Sequence, residues 1–292
     1  MTQTRMLIED RVCFFGAGSM AEAVARGLIA RAVIAPSQIM FLNRSDTAKL
    51  QQLEQRYGTP GTNDPAEKER VLRTFPVVIL AMKPKDAAEA LQQLGTLIGP
   101  HTLVVSMIAG LSIATLRSLL NRPEQPVVRT MPNTSSSIGL GVTGVSFSDG
   151  LSEDQRRTAR LLFEAVGTVI ETEEDKIDAL TGISGSGPAY VYYMMEALIE
   201  AAVLGGLTRE QAREMTVQTV LGASQMVRQT GEEPAELRRK VTSPNGATQA
   251  AIAKLDESDF FGAVIRAAQR CAERSAEMGQ DLENQLPRLA QD

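Results

Sequence analysis

Short apolar runs punctuate the first half of the chain, and the sequence between them has helical period. They fall at Val12 to Phe15, Ile39 to Leu42, 76–82, 102–107 and 127–131. The run 76–82 is continuous rather than alternating, the pattern of a strand covered on both faces in a parallel sheet. The spacing predicts a first helix from Ser19 to about Ala32, ended before Pro36, and another over 112–120. Two further strands at 142–147 and 168–170, with a helix over 153–166 between them, extend the same sheet at an edge. Alternating strands and helices of this kind build a doubly wound α/β sheet of the Rossmann type, here assigned to residues 1–173.

From residue 174 the strand-like runs stop, and helical period carries the rest of the chain as an all-α domain over 174–292. Pro188 is placed to open a long helix through Leu204, which Gly205 and Gly206 end. Further helices are predicted over 209–229, 234–240 and 249–255, with a last one beginning near Asp259. No internal repeat interrupts this order. Ala197, Ala201, Ala202, Met194 and Met195 give the long helix a surface suited to packing between subunits, so at least a homodimer through the helical domain is expected.

The first apolar run ends in Gly16-Ala17-Gly18-Ser19-Met20-Ala21, a G-x-G-x-x-A turn between a strand and a helix. Gly16 makes the turn, Gly18 lets backbone amides at Ser19 and Met20 approach a pyrophosphate, and Ala21 lets helix and strand pack closely. In such folds an acid about 20 residues beyond the glycines usually holds the ribose 2′-hydroxyl of NAD. Here Asn43, Arg44 and Ser45 offer neutral donors and a fixed cation instead, which suits the 2′-phosphate of NADP; Asp46 follows directly and keeps NAD open. Two other strands leave through prolines, at Lys83-Pro84 and Met131-Pro132-Asn133, so polar loops stand at the carboxyl edge where open sheets bind ligands.

Composition narrows the class. The chain has 292 residues, 43% apolar and 22% charged, with a net charge of -5, so it reads as an ordinary globular enzyme without the basic face of a nucleic-acid binder. Cys13 and Cys271 sit inside a strand and a late helix, which disfavours a disulfide framework. Arg5, Glu9, Asp10 and Arg11 interrupt any leader-like core, and no apolar stretch reaches the ~18 residues of a membrane span. A cytoplasmic protein that touches no membrane is expected. His101, the single histidine, reads as a strand-edge residue, and two-histidine metal sites are excluded. No metal is expected.

Several motifs together resemble the pyrroline-5-carboxylate reductases, which make proline by reducing a cyclic imine with NAD(P)H. They are Phe14 to Ala21, Asn43-Arg44-Ser45, Met82-Lys83-Pro84, Ser106 to Gly110, Arg129 to Thr134, Asp178 to Thr181 with Ser184 to Ala189, and Val241 to Thr248. The resemblance implies that Ala81, Met82, Lys83, Pro84, Ala109, Gly110 and Asn133 line the reactive end of the cofactor. It implies that the loop Ser243, Asn245, Gly246, Ala247 and Thr248 holds the carboxylate of 1-pyrroline-5-carboxylate. The amides of Gly246, Ala247 and Thr248 bind the anion at a helix N-terminus, and the Thr248 hydroxyl is the catalytic group at the imine nitrogen, donating a proton or orienting an imine already protonated. It also implies a homodimer or a higher assembly.

Two departures stand out. Asn245 replaces a glycine of the late loop, a substitution that a left-handed backbone tolerates. The stretch 58–73 is longer than usual, leaving Asn63 as a candidate for the adenine-side asparagine. Alone, Ser243, Pro244 and Thr248 also read as an ordinary helix cap, and Ser184 to Ala189 as a small-residue packing turn. The rival functions are another NADP-dependent imine reductase, a β-hydroxyacid reductase, or a non-catalytic NADP-sensing regulator. A β-hydroxyacid reductase needs a helix lysine as its acid, and no lysine lies between Lys176 and Lys240.

Overall fold

A computed structural model describes residues 7–289. Eight strands form one sheet: β1 (Val12–Phe15), β2 (Ile39–Leu42), β3 (Gly61–Thr62), β4 (Val77–Leu80), β5 (Leu103–Ser106), β6 (Val127–Met131), β7 (Gly141–Phe147) and β8 (Gly167–Glu171). Their order is β3-β2-β1-β4-β5-β6-β7-β8, parallel except where β7 runs antiparallel to β6. β1 is central and pairs with both β2 and β4, Phe14 lying opposite Phe41 on one side and Ile79 on the other. The strand order reverses direction at β1, which leaves a crevice at the carboxyl ends of β1 and β4.

The continuous apolar strands are explained by helices on both faces. Alternate residues point to opposite sides. Val12, Phe14, Val77 and Ile79 thus join one core with α1 (Ser19–Ala30), α2 (Thr47–Tyr57) and α6 (Glu153–Glu164). Cys13, Val78 and Leu80 join the other core with α3 (Pro65–Thr74), α4 (Ala87–Leu97) and α5 (Ile113–Leu119). Phe14 stacks on Phe41 with ring centroids 5.0 Å apart. The first helix stops at Ala30 rather than near Ala32, because Arg31 caps it and Ala32 turns to a φ of 52°. β4 and β5 occupy only the centres of the runs 76–82 and 102–107.

Residues 58–73, read from sequence only as a longer than usual stretch, hold β3 and most of α3. Asp64 caps α3 by accepting from the Glu67 amide at 2.8 Å, and Pro65 opens it.

By packing, the chain forms two compact units. One runs to Gly185 and includes the residues from Arg270 on; the other is Ser186–Gln269. The segment 174–185, assigned from sequence to the helical domain, packs with the sheet as α7 (Ile177–Leu180) and a π-helical turn (Thr181–Gly185). The second unit holds α8 (Gly187–Leu204), α9 (Arg209–Thr230), α10 (Pro234–Lys240), α11 (Ala247–Glu257) and the start of α12 (Phe260–Leu289). Pro188 stands in the first turn of α8. Neither α8 nor α11 buries a residue, and Leu204, Tyr193 and Phe261 are 82%, 77% and 72% exposed. One copy of this unit therefore has almost no core of its own. Among the described residues no helix is long and apolar enough to cross a membrane.

Candidate active site

The phosphate loop is built from three strand ends. The Gly16 amide donates to the Leu42 carbonyl at 2.9 Å, and the Ala81 amide donates to the Phe15 carbonyl at 3.0 Å. Gly16 has a φ of +117°, and a Cβ there would lie 2.6 Å from the Ala81 carbonyl oxygen, so only glycine fits. Gly18 is the N-cap of α1 and meets nothing closer than 3.9 Å with an added Cβ. Packing therefore places no demand for glycine here, and the space beside it stays open.

No side chain caps α1, so its first-turn amides, including those of Ser19 and Met20, are left for a ligand. Glu22, the acid in that first turn, is bound by Lys49, Arg56 at 3.0 Å and the Tyr57 hydroxyl at 2.9 Å. The Lys49 hydrogen bond chiefly holds its carboxyl below the usual glutamate range. The negative charge is thus compensated beside a site that would take phosphate. An uncapped helix end, a glycine with open space and a neutralised acid all fit a dinucleotide.

At the end of β2 the chain turns through Asn43, Arg44 and Ser45. The Ser45 amide donates to Asn43 Oδ1 at 3.4 Å, and the Asn43 amide ties to the Thr62 carbonyl of β3. The Arg44 side chain is 87% exposed and, among the described residues, pairs with Asp86 at 3.9 Å. Asp46, which kept NAD open on sequence grounds, accepts from the Lys49 amide at 2.9 Å as the N-cap of α2. That carboxylate is engaged. Asn63 donates to Thr47 Oγ1 at 2.8 Å, so the unpredicted β3 delivers it to the same turn.

On the other half of the crevice, Ala81 and Met82 leave β4, and Pro84 opens a short 3-10 turn beside exposed Lys83. Met107 continues β5 by donating to the Leu80 carbonyl, and the loop then reaches Ala109 and Gly110, whose φ is +81°. Ser106, not named as a site residue from sequence, shapes this loop. Its hydroxyl accepts from the Ile108 amide at 3.2 Å, and its carbonyl accepts from Thr130 Oγ1 at 2.8 Å. The signal was present as a polar residue closing a buried apolar strand.

Asn133 joins two loops. Its Nδ2 donates to the Ser184 carbonyl at 2.9 Å and its Oδ1 accepts from the Val142 amide at 3.3 Å. The amide thus pins the β6 exit loop to the π-helical turn, and its side chain is already engaged at both ends.

The late loop forms a second uncapped helix start. Asn245 adopts a φ of 60°, the left-handed turn expected of it, and its amide donates to Gln249 Oε1 at 2.6 Å. Gly246 is the N-cap of α11, with no side-chain cap. This removes the reading of Ser243 or Thr248 as the cap. The Gly246 amide donates to the Ser243 carbonyl at 3.1 Å, so it is engaged, whereas the amides of Ala247 and Thr248 lie in the first turn, where the helix itself supplies no acceptor. Thr248 is the second helical residue and is exposed. Among the described residues no cluster of His, Cys, Asp and Glu could hold a metal ion.

The family model for pyrroline-5-carboxylate reductase dimerisation matches residues 174–278, and that for F420-dependent NADP oxidoreductases matches 11–110. Pyrroline-5-carboxylate reductase 1 of Bacillus spizizenii is 42% identical over 276 residues, covering 94% of this chain and 91% of that protein. A pyrroline-5-carboxylate reductase structure from Coxiella burnetii is 35% identical with a TM-score of 0.86, covering 93% of this chain and 99% of that one. The Plasmodium falciparum pyrroline carboxylate reductase structure, with NADP bound, is 28% identical with a TM-score of 0.83, covering 94% and 100%. With 42% identity to a curated relative over 94% of its length, the chain belongs to the pyrroline-5-carboxylate reductase family.

Proposed function

We propose that the protein reduces 1-pyrroline-5-carboxylate to L-proline, with NADPH preferred over NADH. The observation that carries this reading is the start of α11. A left-handed Asn245 turn is followed by an uncapped helix end whose second residue bears a hydroxyl. The amides of Ala247 and Thr248 suit the substrate carboxylate, the helix dipole adding to their attraction. Ser243, whose carbonyl holds the Gly246 amide, and Asn245, tied to Gln249, fix the shape of the turn.

Thr248 Oγ1 can both donate and accept a hydrogen bond. It serves a neutral imine nitrogen as donor and a protonated one as acceptor, and in either case orients the C=N bond. When bound, the reduced nicotinamide supplies the hydride. Arg44, exposed and in only long-range contact with Asp86 at 3.9 Å, suits the 2′-phosphate. Asn43, Ser45 and Asn63 surround that turn, the Gly16 to Met20 loop takes the pyrophosphate, and the loops at Ala81 to Pro84, Ala109 and Gly110 receive the nicotinamide half.

The chain assembles as a homodimer through its helical region, where the dimerisation match coincides with helices that bury almost nothing in one copy. We place it in the cytoplasm. The deciding assay follows NADPH oxidation with pyrroline-5-carboxylate and identifies the product. Proline formed in step with NADPH consumed is the expected result. No consumption by folded, dimeric protein overturns the reading.

A further inference from the structure

The last turns of α12 lie along α7 and the segment from Gly110 to Thr115 after β5, and their contacts recur every four residues. Ser275 donates to Asp178 Oδ1 at 2.7 Å, and Asp178 in turn accepts from the buried Arg129 of β6 at 3.2 Å. Gly279 packs against Gly110: a Cβ on Gly279 would stand 2.5 Å from the Gly110 carbonyl oxygen, and a Cβ on Gly110 would stand 3.2 Å from the Gly279 amide nitrogen. Glu283 Oε1 accepts from Ser112 Oγ at 3.1 Å and from Thr115 Oγ1 at 2.5 Å. Residues at i, i+4 and i+8 share one helix face, so Ser275, Gly279 and Glu283 form a single seam. Gly279 and Glu283 lie beyond residues 174–278, where the dimerisation match ends.

The loop under this seam leaves β5, in the half of the sheet that does not carry the Asn43 to Ser45 turn. In a doubly wound fold each half serves one mononucleotide, so this loop belongs to the nicotinamide end. Its backbone at Gly110 is in the left-handed region and touches the helix backbone directly, with no flexible side chain between to absorb a shift.

We infer that the α12 seam sets the position of the Ala109–Gly110 loop, with Gly279 and Glu283 as positioning residues for the nicotinamide half of the cofactor. The inference rests on the proposed NADPH-dependent reduction.

The test uses cofactor halves on the intact protein. Binding of NADP⁺ and of 2′-phospho-ADP-ribose, which keeps the adenosine half and pyrophosphate but lacks nicotinamide, is measured for the wild type, Gly279→Ala and Glu283→Gln, with melting temperature alongside. In Gly279→Ala the loop backbone must move, and NADP⁺ binding should weaken roughly tenfold while the fragment binds as before. Glu283→Gln adds no volume and leaves a neutral acceptor, so about threefold is expected, again only for NADP⁺. Equal binding of both probes in both variants overturns the inference, as does a parallel loss of both probes, which marks a structural role alone. If Gly279→Ala does not fold, Glu283→Gln decides by the same two criteria. Because the readout is binding, it stands apart from turnover: a wild type that binds both probes yet never reduces pyrroline-5-carboxylate defeats the proposed reaction, not the seam.

Discussion

The chain starts a helix without a side-chain cap in two places suited to anions, and it supports them in opposite ways. At α1 the uncapped end rises from the centre of an eight-stranded sheet, and Ala21, Val24, Ala25 and Leu28 behind it are completely buried. At α11 the uncapped end belongs to a helix that buries nothing within one chain. The proposed pyrophosphate site is therefore framed within a single copy, whereas the proposed substrate loop stands on a unit whose Tyr193, Leu204 and Phe261 are exposed in one copy. Equal chemistry at two helix ends thus comes with unequal independence, and substitutions at each end should separate cofactor binding from turnover.

The largest effect belongs to Gly16→Ala. The added Cβ meets the Ala81 carbonyl oxygen, which is backbone, and the residue must keep a strained φ. Strain and displacement together should weaken NADPH binding by about 4 kcal/mol, close to a thousand-fold, as read by calorimetric titration. Gly246→Ala is the sharpening control at the other end. Its φ of −86° suits any residue; its Cβ meets the Ser243 hydroxyl, which can rotate away, and stands 3.1 Å from the Ser243 carbonyl oxygen, which must give by a few tenths of an ångström. It should raise the KM for pyrroline-5-carboxylate and leave cofactor binding unchanged. If Gly16→Ala binds NADPH normally, the contrast between the two ends collapses.

Next in size is Thr248→Ala. Loss of one transition-state hydrogen bond costs on the order of 2–4 kcal/mol, roughly a hundred-fold or more in kcat. Because Gly246 rather than Thr248 occupies the cap position, melting temperature should stay at the wild-type value. Thr248→Ser should keep most of the activity. Unchanged kcat in Thr248→Ala would falsify its assignment to the reaction.

Arg44→Ala should act more weakly and only on cofactor choice. The guanidinium is largely in solvent, so about 1.4 kcal/mol, or tenfold in the NADPH to NADH ratio of kcat/KM, is the scale expected. Asp46→Ala should leave that ratio alone and cost about 1 kcal/mol of stability through its lost cap. A ratio that moves with Asp46 instead of Arg44 would assign ribose selection to the acid.

What the sequence disclosed follows from how local each feature is. β1, β2 and β4 were legible because their apolar residues are consecutive, and the Gly16 to Ala21 turn because its residue types answer to one backbone geometry. Asn245 was readable for the same reason: a left-handed turn leaves few choices. By contrast, α3 is polar along most of its length and buries only Val71 and Leu72, so no periodic stripe announced it. The engagement of the Asn133 amide and the Gly246 N–H depends on partners placed by the fold, and residue type alone shows neither. Gly279 is the extreme case, since its partner Gly110 is far away along the chain.

The smallest expected effect tests whether the charge beside α1 belongs to the nucleotide half alone. Glu22 is bound by Lys49, Arg56 and Tyr57, and its carboxyl titrates below the ordinary value of 4.5, chiefly through the Lys49 hydrogen bond. A carboxylate with a depressed folded-state pKa contributes stability that is fully present above its unfolded value and is lost as pH falls through the folded one. Wild type should exceed Glu22→Gln by ~1 kcal/mol near neutral pH, with the gap closing below about pH 4. The first turn of α11 holds no acid, so substitutions there should show no such acid-dependent gap. Denaturant melts of wild type and Glu22→Gln at neutral and acidic pH decide it. A gap that persists or widens in acid would mean that the Glu22 carboxylate is not what holds α1 to α2.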